Sequence, residues 1–250
     1  MLALIRKLTP LFVKQFYHRL KNPEGLNPDK LALIDRAVRQ LGARTVADLG
    51  GVWRVNGGYA FHAAKRGADK VTLVDLSFTP EVHGRKEKQP RVELFTANFG
   101  LAETAERVGP VDAVLLFDVL LHQVRPDWDE VLGNWAPHVK HFVVYNQQYT
   151  GPKTVRLLDL GREEYFQHAP HDITQQEYKD LFERPNERHP FYDDGRTYRD
   201  QHGVWQWGIT DEDLRRVMKS LGFTETFYKD CGPWPGLKNI QNRAFIFSRT

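Results

Sequence analysis

The chain has only one cysteine, Cys231, among its 250 residues. A single thiol excludes an internal disulfide framework and the zinc sites that are built from several cysteines. The sequence also has no run approaching the roughly 18 apolar residues that a membrane-spanning helix needs, so we expect no membrane partner. Residues 1–20 contain no uninterrupted apolar core and no small-residue cleavage site, which argues against a secretory signal. A cytoplasmic protein is therefore expected.

An excess of charge of one sign is missing as well. The 35 Lys and Arg residues are nearly balanced by 32 Asp and Glu residues, which gives a formal net charge of +3. So small a surplus does not favour nucleic acid as a partner. The apolar fraction of 41% and the charged fraction of 27% are ordinary for a globular protein. A chain of this length can build one substantial core, or one domain that carries a large insertion.

Residues 1–29 are predicted to form a helical extension before the main domain. Within residues 2–20, apolar side chains recur at helical spacing with basic side chains between them. One interpretation is a helix packed on the main domain, or over its site as a lid. The other is a basic amphipathic helix on a membrane surface. The charges that interrupt the apolar stripe favour the first.

Strands and helices alternate between residues 30 and 150, which form the predicted core. The predicted strands are Thr45–Leu49, Val71–Leu76, Arg91–Thr96, Val111–Phe117 and His141–Tyr145. The predicted helices are Lys30–Leu41, Tyr59–Arg66, Leu101–Val108 and Trp128–Trp135. The basic segment Arg85–Arg91 is predicted as a solvated loop. Strands separated by helices indicate a doubly wound parallel sheet.

The alternation breaks at residues 151–208 and returns at residues 209–250. The first segment is rich in His, Tyr, Arg and Asp and shows no clear strand, and its aromatic content argues against disorder. We interpret it as an insertion over the carboxyl edge of the sheet that acts as a lid for the substrate. The second predicts a helix capped by Thr210, then strands Phe223–Tyr228 and Arg243–Ser248. The expected fold class is α/β, a doubly wound, seven-stranded, mostly parallel sheet with a C-terminal antiparallel hairpin.

A glycine-rich turn between the first two predicted strands carries most of the functional information. A strand, a glycine loop, a helix and a second strand that ends in an acid are the layout that holds a nucleoside-containing cofactor at the edge of a parallel sheet. The layout therefore indicates an enzyme. The candidate residues are Asp48, Gly50, Gly51, Gly57, Gly58 and Asp75.

These residues resemble the first motifs of class I S-adenosylmethionine-dependent methyltransferases of the small-molecule type. Asp48, Gly50 and Gly51 match the start of the family's glycine turn, and Gly57 and Gly58 match its end. The resemblance covers the predicted core and the C-terminal segment but not the insertion. It implies S-adenosylmethionine as the cofactor, S-adenosylhomocysteine as the product, and Asp48 close to the cofactor's ammonium group. Glycine lets the backbone approach the cofactor without a Cβ clash.

The turn departs from the family pattern at Val52–Asn56, which looks like an insertion of several residues between the glycines. The path of this loop is therefore open. Trp53 or Arg54 could reach the cofactor or the substrate, and they could equally project into solvent.

The resemblance assigns further cofactor contacts to the ends of the second and third strands. Asp75 is expected to accept hydrogen bonds from both ribose hydroxyls, with Leu76 packed on the adenine. The alternative for Asp75 is a helix N-cap. Asn98 is expected to read the adenine amino group, and Phe99 to stack on the ring. The alternative here is a simple Asn-Phe-Gly turn.

Residues after the fourth and fifth strands supply the candidates for catalysis. Asp118 and Val119 are expected near the cofactor. His122 is the candidate general base or substrate-hydroxyl orienter, because a neutral imidazole near pH 7 can take a hydroxyl proton. The alternative is a hydrogen-bonded, partly buried histidine. Tyr145 and Asn146 begin a run of neutral hydrogen-bonding residues that suits a polar, hydroxylated substrate, and the alternative is a polar loop.

The expected activity is methyl transfer from S-adenosylmethionine to a small polar metabolite, at a hydroxyl oxygen. Catalysis would rest on positioning and on exclusion of water. The alternatives are an RNA or protein methyltransferase, an NAD-dependent oxidoreductase, and a binding module without catalysis. The tight Gly-x-Gly-x-x-Gly turn of the dinucleotide enzymes is missing.

Two further points concern the acceptor and the assembly. The Asn/Asp-Pro-Pro-aromatic motif of many amino-group methyltransferases is absent, which disfavours DNA bases and glutamine as acceptors. The insertion is rich in His and Asp, but the spacings match no compact ligand motif, so a divalent metal is left open and not predicted. A homodimer is also left open.

Overall fold

A computed structural model describes residues 25–192 and 194–249, with only the backbone described for Glu177. The helix expected within residues 2–20 lies outside the described residues. No helix in the described ranges is long and apolar enough to cross a membrane.

A mixed sheet of seven strands forms the centre of the described chain. The strands along the chain are β1 Thr45–Leu49, β2 Lys70–Asp75, β3 Val92–Thr96, β4 Val111–Phe117, β5 Val139–Tyr149, β6 Val155–Arg156, β7 Trp207–Gly208, β8 Phe223–Pro233 and β9 Ile240–Arg249. The seven-stranded sheet has the order β3-β2-β1-β4-β5-β9-β8, and β6 and β7 form a separate two-stranded sheet. The first five strands are parallel, and β9 is antiparallel to both β5 and β8. The predicted seven-stranded fold with its C-terminal hairpin is confirmed.

Helices cover both faces of this sheet. The helices along the chain are α1 Pro28–Asp35, α2 Gly58–Arg66, α3 Pro80–Lys88, α4 Ala102–Val108, α5 Trp128–Trp135, α6 Arg162–His168, α7 Gln176–Glu183 and α8 Asp211–Ser220, of which α6 and α7 lie in the insertion. Successive strand residues point to opposite faces, and Val46 and Ala47 of β1 accordingly belong to different core clusters. Ile34 of α1 and Phe61 of α2 lie in the first cluster, and Trp135 of α5 lies in the second.

The prediction of a solvated loop at Arg85–Arg91 is wrong, because most of this segment belongs to α3. Thr79 caps the helix by accepting a hydrogen bond from the backbone N–H of Val82 at 3.2 Å, and Pro80 occupies its first turn. Val82 is the only buried residue of α3. The helix therefore has no apolar stripe that a search for periodicity could detect.

The insertion, residues 151–208, is folded over the end of β5. The expectation that it has no strand is wrong, since β6 and β7 pair in a small antiparallel sheet. The insertion also contains α6 and α7. Its buried side chains, such as Tyr165 and Trp205, share a core cluster with Leu121 and Tyr149 from the edge of the main sheet. The insertion thus packs directly on the carboxyl edge.

Candidate functional site

Three carboxylates lie at the carboxyl edge of neighbouring strands. Asp48 is in β1, Asp75 ends β2, and Asp118 follows β4. β1 lies between β2 and β4, with Asp48 in register with Leu73 of β2 and Leu115 of β4. The edge where parallel strands end is the usual ligand site of an open α/β sheet. The structure thus brings together the acids that the sequence indicated.

Asp48 is a buried carboxylate with an unused oxygen. The side chain is 1% exposed, and its Oδ2 has no hydrogen-bond partner among the described residues. Burial raises the pKa of Asp48 to about 7, the negative charge of Asp75 adds to this, and the backbone of Ala60 and the Lys30 ammonium oppose it. A Cβ on Gly51 would collide with this carboxylate. Only glycine at that position allows the acid to remain where it is.

Gly50 allows the close approach of two other predicted site residues. The glycine has a φ of +71°, and an added Cβ would lie 3.0 Å from the side chains of both Phe99 and Val119. Leu76, at the end of β2, is 65% exposed. Asn98 forms a turn, because its Oδ1 accepts a hydrogen bond from the backbone N–H of Gly100 at 2.9 Å. The adenine contacts assigned to these residues stay predictions.

The inserted residues of the glycine loop close into a compact turn. The backbone N–H of Asn56 donates to the carbonyl of Val52 at 2.8 Å, and that of Gly57 donates to Gly51 at 2.9 Å. Trp53 is 74% exposed, and the Arg54 guanidinium lies 4.3 Å from its ring centroid. Of the two alternatives for Trp53, this exposure favours projection into solvent.

Gly57 and Gly58, the second pair of glycines, form the start of α2. Gly57 has a φ of +70°, and an added Cβ would lie 2.8 Å from Leu73 and 3.2 Å from Phe61. Close packing of α2 on β2 thus explains why Gly57 has no side chain.

Asp75 binds the glycine loop instead of capping a helix. Its Oδ2 accepts a hydrogen bond from the backbone N–H of Val52 at 3.0 Å, and its Oδ1 accepts one from Leu76 at 2.8 Å. The next helix, α3, is capped by Thr79, so the N-cap alternative for Asp75 is wrong. Burial raises the pKa of Asp75, and the two backbone N–H groups oppose this. Its role toward a ribose stays a prediction.

Lys30 and Asn27 also belong to this edge, although the sequence did not indicate them, and Gln147 belongs to the predicted polar run after the fifth strand. Lys30 is only 6% exposed and forms an ion pair with Asp118. Gln147 Nε2 donates to the other oxygen of Asp118 at 2.8 Å. The available signal was the spacing, because Lys30 lies four residues before the buried Ile34 and thus on the same face of α1.

His122 contacts the insertion. Its Nδ1 lies 2.8 Å from the carbonyl oxygen of Val204. Burial lowers the pKa of His122, while the carbonyl groups of Val204 and His202 and the charge of Asp118 act in the opposite direction. The imidazole is therefore neutral near pH 7. The contact with Val204 agrees with the alternative of a hydrogen-bonded, partly buried histidine. A catalytic role for His122 stays a prediction.

Tyr145 and Asn146 point to opposite faces of β5. The Tyr145 hydroxyl accepts a hydrogen bond from Asn27 Nδ2 at 3.3 Å, on the side of α1. On the other face, Asn146 is completely buried, and no described residue forms a hydrogen bond with its Oδ1. Gln148, on the same face as Asn146, is 1% exposed, and neither of its amide atoms has a partner within the described part of the chain. The polar run thus divides into two groups instead of forming one cluster.

No group of three or more His, Cys, Asp or Glu side chains within residues 25–192 and 194–249 is arranged to hold a metal ion. The described His and Asp side chains of the insertion, which the sequence analysis left open as metal ligands, belong to no such group. His168, for example, contacts the carbonyl oxygen of Lys238 through Nδ1 at 2.7 Å.

Comparisons of sequence identify no relative of this chain. A scan against protein-family models finds no match. A search of curated proteins also finds none.

Solved structures share the fold. A 1,6-didemethyltoxoflavin-N1-methyltransferase from Burkholderia thailandensis has a TM-score of 0.58 and 15% identity, covering 96% of this chain and 85% of that chain. The N-terminal domain of EvdMO1, solved in the presence of S-adenosylhomocysteine and D-fucose, has a TM-score of 0.56 and 14% identity, covering 90% and 84%. An O-methyltransferase family protein from the same Burkholderia species has a TM-score of 0.52 and 18% identity, covering 93% of this chain but only 57% of that chain. This chain therefore has the fold of a class I methyltransferase.

Proposed function

We propose that the chain is an S-adenosylmethionine-dependent methyltransferase that acts on a small polar acceptor, at a hydroxyl oxygen. The observation that carries the proposal is the buried Asp48 carboxylate at the carboxyl edge of the sheet, one oxygen of which lies beside the glycine turn without a partner in the described ranges. A buried polar atom without a partner requires an explanation, and a ligand cation supplies one.

The residues of the edge fit the cofactor along its length. The unused Oδ2 of Asp48 suits the ammonium of its amino-acid end. Gly50, which is partly exposed, has no side chain to keep a ligand from its backbone. Asp75 offers carboxylate oxygens to the ribose, and the exposed Leu76 offers an apolar surface to the adenine. The fit depends on the chemistry of these groups and on their common place at the ends of β1 and β2.

When bound, S-adenosylmethionine supplies an electrophilic methyl group. The chain would supply position and a dry site, since the insertion packs over the carboxyl edge and shares a core cluster with it. His122 lies where the insertion meets the end of β4, and a neutral imidazole there can accept the proton of an acceptor hydroxyl. No metal is needed for these steps, and none is proposed.

The names of the structural neighbours and the buried amides of β5 bear on the nature of the acceptor. One structural neighbour is named as an N1-methyltransferase and another as an O-methyltransferase family protein. The fold is therefore compatible with either accepting atom. The buried neutral amides of Asn146 and Gln148 support a polar, uncharged acceptor, because their unpartnered atoms can both donate and accept hydrogen bonds. A hydroxyl oxygen is the acceptor we propose.

The sheet argues against the NAD-dependent alternative. The dinucleotide-binding fold places a sixth parallel strand beside the fifth. Here the strand beside β5 is β9, which is antiparallel. The same edge also lacks the tight triple-glycine turn, since Val52–Asn56 separates the two pairs of glycines.

A ligand-induced shift in melting temperature tests the proposal. S-adenosylhomocysteine should raise the melting temperature of the wild type, because a ligand that binds only the folded state stabilises it. NAD at the same concentration should not. Mass spectrometry of the purified protein and a screen of hydroxylated acceptors for S-adenosylhomocysteine release would then identify the reaction. Stabilisation by NAD alone, or by neither ligand, would reject the proposal.

A further inference from the structure

Lys30 is a buried cation in an aromatic enclosure. Its ammonium lies 4.9 Å from the ring centroid of Tyr145, 5.3 Å from that of Tyr59 and 5.9 Å from that of Phe117. Its side chain is 8% exposed, and Asp118 is the carboxylate with which it pairs. A lysine is almost never buried to this extent unless it is paired.

The ion pair with Asp118 does not use all the N–H donors that a lysine ammonium has. Lysine has three N–H donors, and Asp118 is the only hydrogen-bond acceptor that Lys30 Nζ contacts within the described ranges. Aromatic rings attract the cation but accept no conventional hydrogen bond from it. Asp118 is in turn held by Gln147 Nε2 at 2.8 Å. Lys30 is thus held in place while some of its N–H donors bind no acceptor in the part of the chain that the structure describes.

The carboxylates near Lys30 complete a pattern of charge. The charge of the Lys30 ammonium favours the ionised form of Asp48 against the larger effect of burial on its pKa, and Asp48 Oδ2 has no partner among the described residues. One fixed cation with unused donors and one fixed carboxylate with an unused oxygen lie at the same edge. This pair is complementary to a zwitterionic α-amino acid, which has a carboxylate and an ammonium on one carbon atom.

We propose that Lys30 binds the α-carboxylate of the cofactor's amino-acid end, while Asp48 takes its ammonium. The inference rests on the proposed function, since the amino acid is that of S-adenosylmethionine or S-adenosylhomocysteine. Lys30 is a binding residue in this proposal and not a catalytic one. Asp118 and the three aromatic rings orient the Lys30 side chain. Lys30 lies in the first turn of α1, where the side chain of the N-cap residue Asn27 accepts hydrogen bonds from the backbone N–H groups of Asp29 and Lys30.

A purely structural role for Lys30 predicts a different behaviour. In that case Lys30 would only neutralise Asp118, and its loss would weaken all ligands alike by disturbing the fold. A carboxylate-binding role predicts a selective loss, because only ligands with that carboxylate use the unused donors. A ligand that differs from the cofactor product only by the loss of the carboxylate therefore distinguishes the two roles.

The experiment compares S-adenosylhomocysteine with its decarboxylated analogue, S-adenosyl-3-thiopropylamine, by isothermal titration calorimetry. The wild type should prefer S-adenosylhomocysteine by about ten- to hundredfold, the usual effect of a hydrogen bond between charged groups. Lys30→Met fits the apolar enclosure and should abolish the preference by weakening S-adenosylhomocysteine alone. Lys30→Arg should retain part of it. Lys219→Met, at an exposed site on α8, is the matched control and should change neither affinity.

The double variant Lys30→Met/Asp118→Asn covers the case in which the single variant does not fold, because it leaves no unpaired carboxylate behind. An unchanged preference in either folded Met variant would overturn the proposal. Equal binding of the two ligands by the wild type would overturn it without any variant. If the wild type binds neither ligand, the proposed function itself fails, and this outcome is distinct from a loss of selectivity.

Discussion

Asp48→Asn should stabilise the protein without ligand while weakening its binding of the cofactor. Burial raises the pKa of Asp48 from 3.8 to about 7 in the folded state. Each tenfold change in proton affinity corresponds to about 1.4 kcal/mol, so the ionised carboxylate costs the fold on the order of 4 kcal/mol. Asparagine has nearly the same shape and cannot ionise, and it can still accept a hydrogen bond from the backbone of Ala60.

The sign of the pH dependence follows from the direction of this pKa change. The folded protein holds the proton of Asp48 up to about pH 7, whereas the unfolded chain releases it near pH 3.8. The favourable contribution of the protonated acid is therefore complete below pH 3.8 and is lost as the pH rises to about 7. Urea unfolding should show the variant almost as stable as the wild type at pH 4. At pH 8 it should be more stable, by about 4 kcal/mol at most.

Ligand binding provides the second half of the test. A ligand ammonium that pairs with Asp48 requires the ionised acid, so binding of S-adenosylhomocysteine to the wild type at pH 6 should release a proton. Calorimetry in two buffers of different ionisation enthalpy measures that release. The variant should release none from this site and should bind the ligand at least about tenfold more weakly. Equal stability of the two proteins at pH 8, together with equal proton release, would refute the reasoning.

Three further changes test other parts of the edge. Gly51→Ala forces a Cβ against the Asp48 carboxylate and should cost roughly 1–3 kcal/mol in urea unfolding; Gly133→Ala, where a Cβ meets nothing within 4 Å, is the control, and equal costs would contradict the clash. Asp75→Asn removes one of the two oxygens that accept from the backbone N–H groups of Val52 and Leu76, so it should lower the melting temperature and also reduce affinity for S-adenosylhomocysteine about tenfold by calorimetry; an unaltered affinity in the folded variant would argue against ribose binding. His122→Asn should lower kcat while leaving that affinity within about threefold. Because burial lowers the pKa of His122, kcat of the wild type should not change between about pH 7 and 9. A change of kcat with pH in this range that is absent from the variant would contradict a neutral base.

The parts of the fold that the sequence predicted are those with local signals. The bounds of β1 and β4 were predicted correctly because both strands are mostly apolar, as expected of strands buried on both faces of a sheet. By contrast, α3 has a single buried residue, Val82, so its cap was the only evidence for it. β5 was predicted to end at Tyr145 but continues to Tyr149. Its polar extension is held by pairing with β9, and a partner about a hundred residues away leaves no trace in the local pattern.

The candidate site likewise contains residues that local sequence patterns predict and residues that only the folded chain brings together. The acids at the strand ends and the glycines were visible in the sequence, since their types and spacing follow from the turn they must form. Lys30 was not, because a lysine at the start of a helix is ordinarily solvated. Only the folded chain shows that Tyr59, Phe117 and Tyr145 enclose its ammonium.

The hydrogen bond from the backbone of Val52 to Asp75 makes the glycine loop sensitive to whatever occupies the edge of the sheet. A sugar that competes for the same oxygen must share it with Val52 or displace it. The amide proton of this one residue is therefore a natural probe. Its nuclear magnetic resonance shift and its rate of exchange with deuterium should change on occupancy, so a titration can follow ligand binding without any label on the ligand.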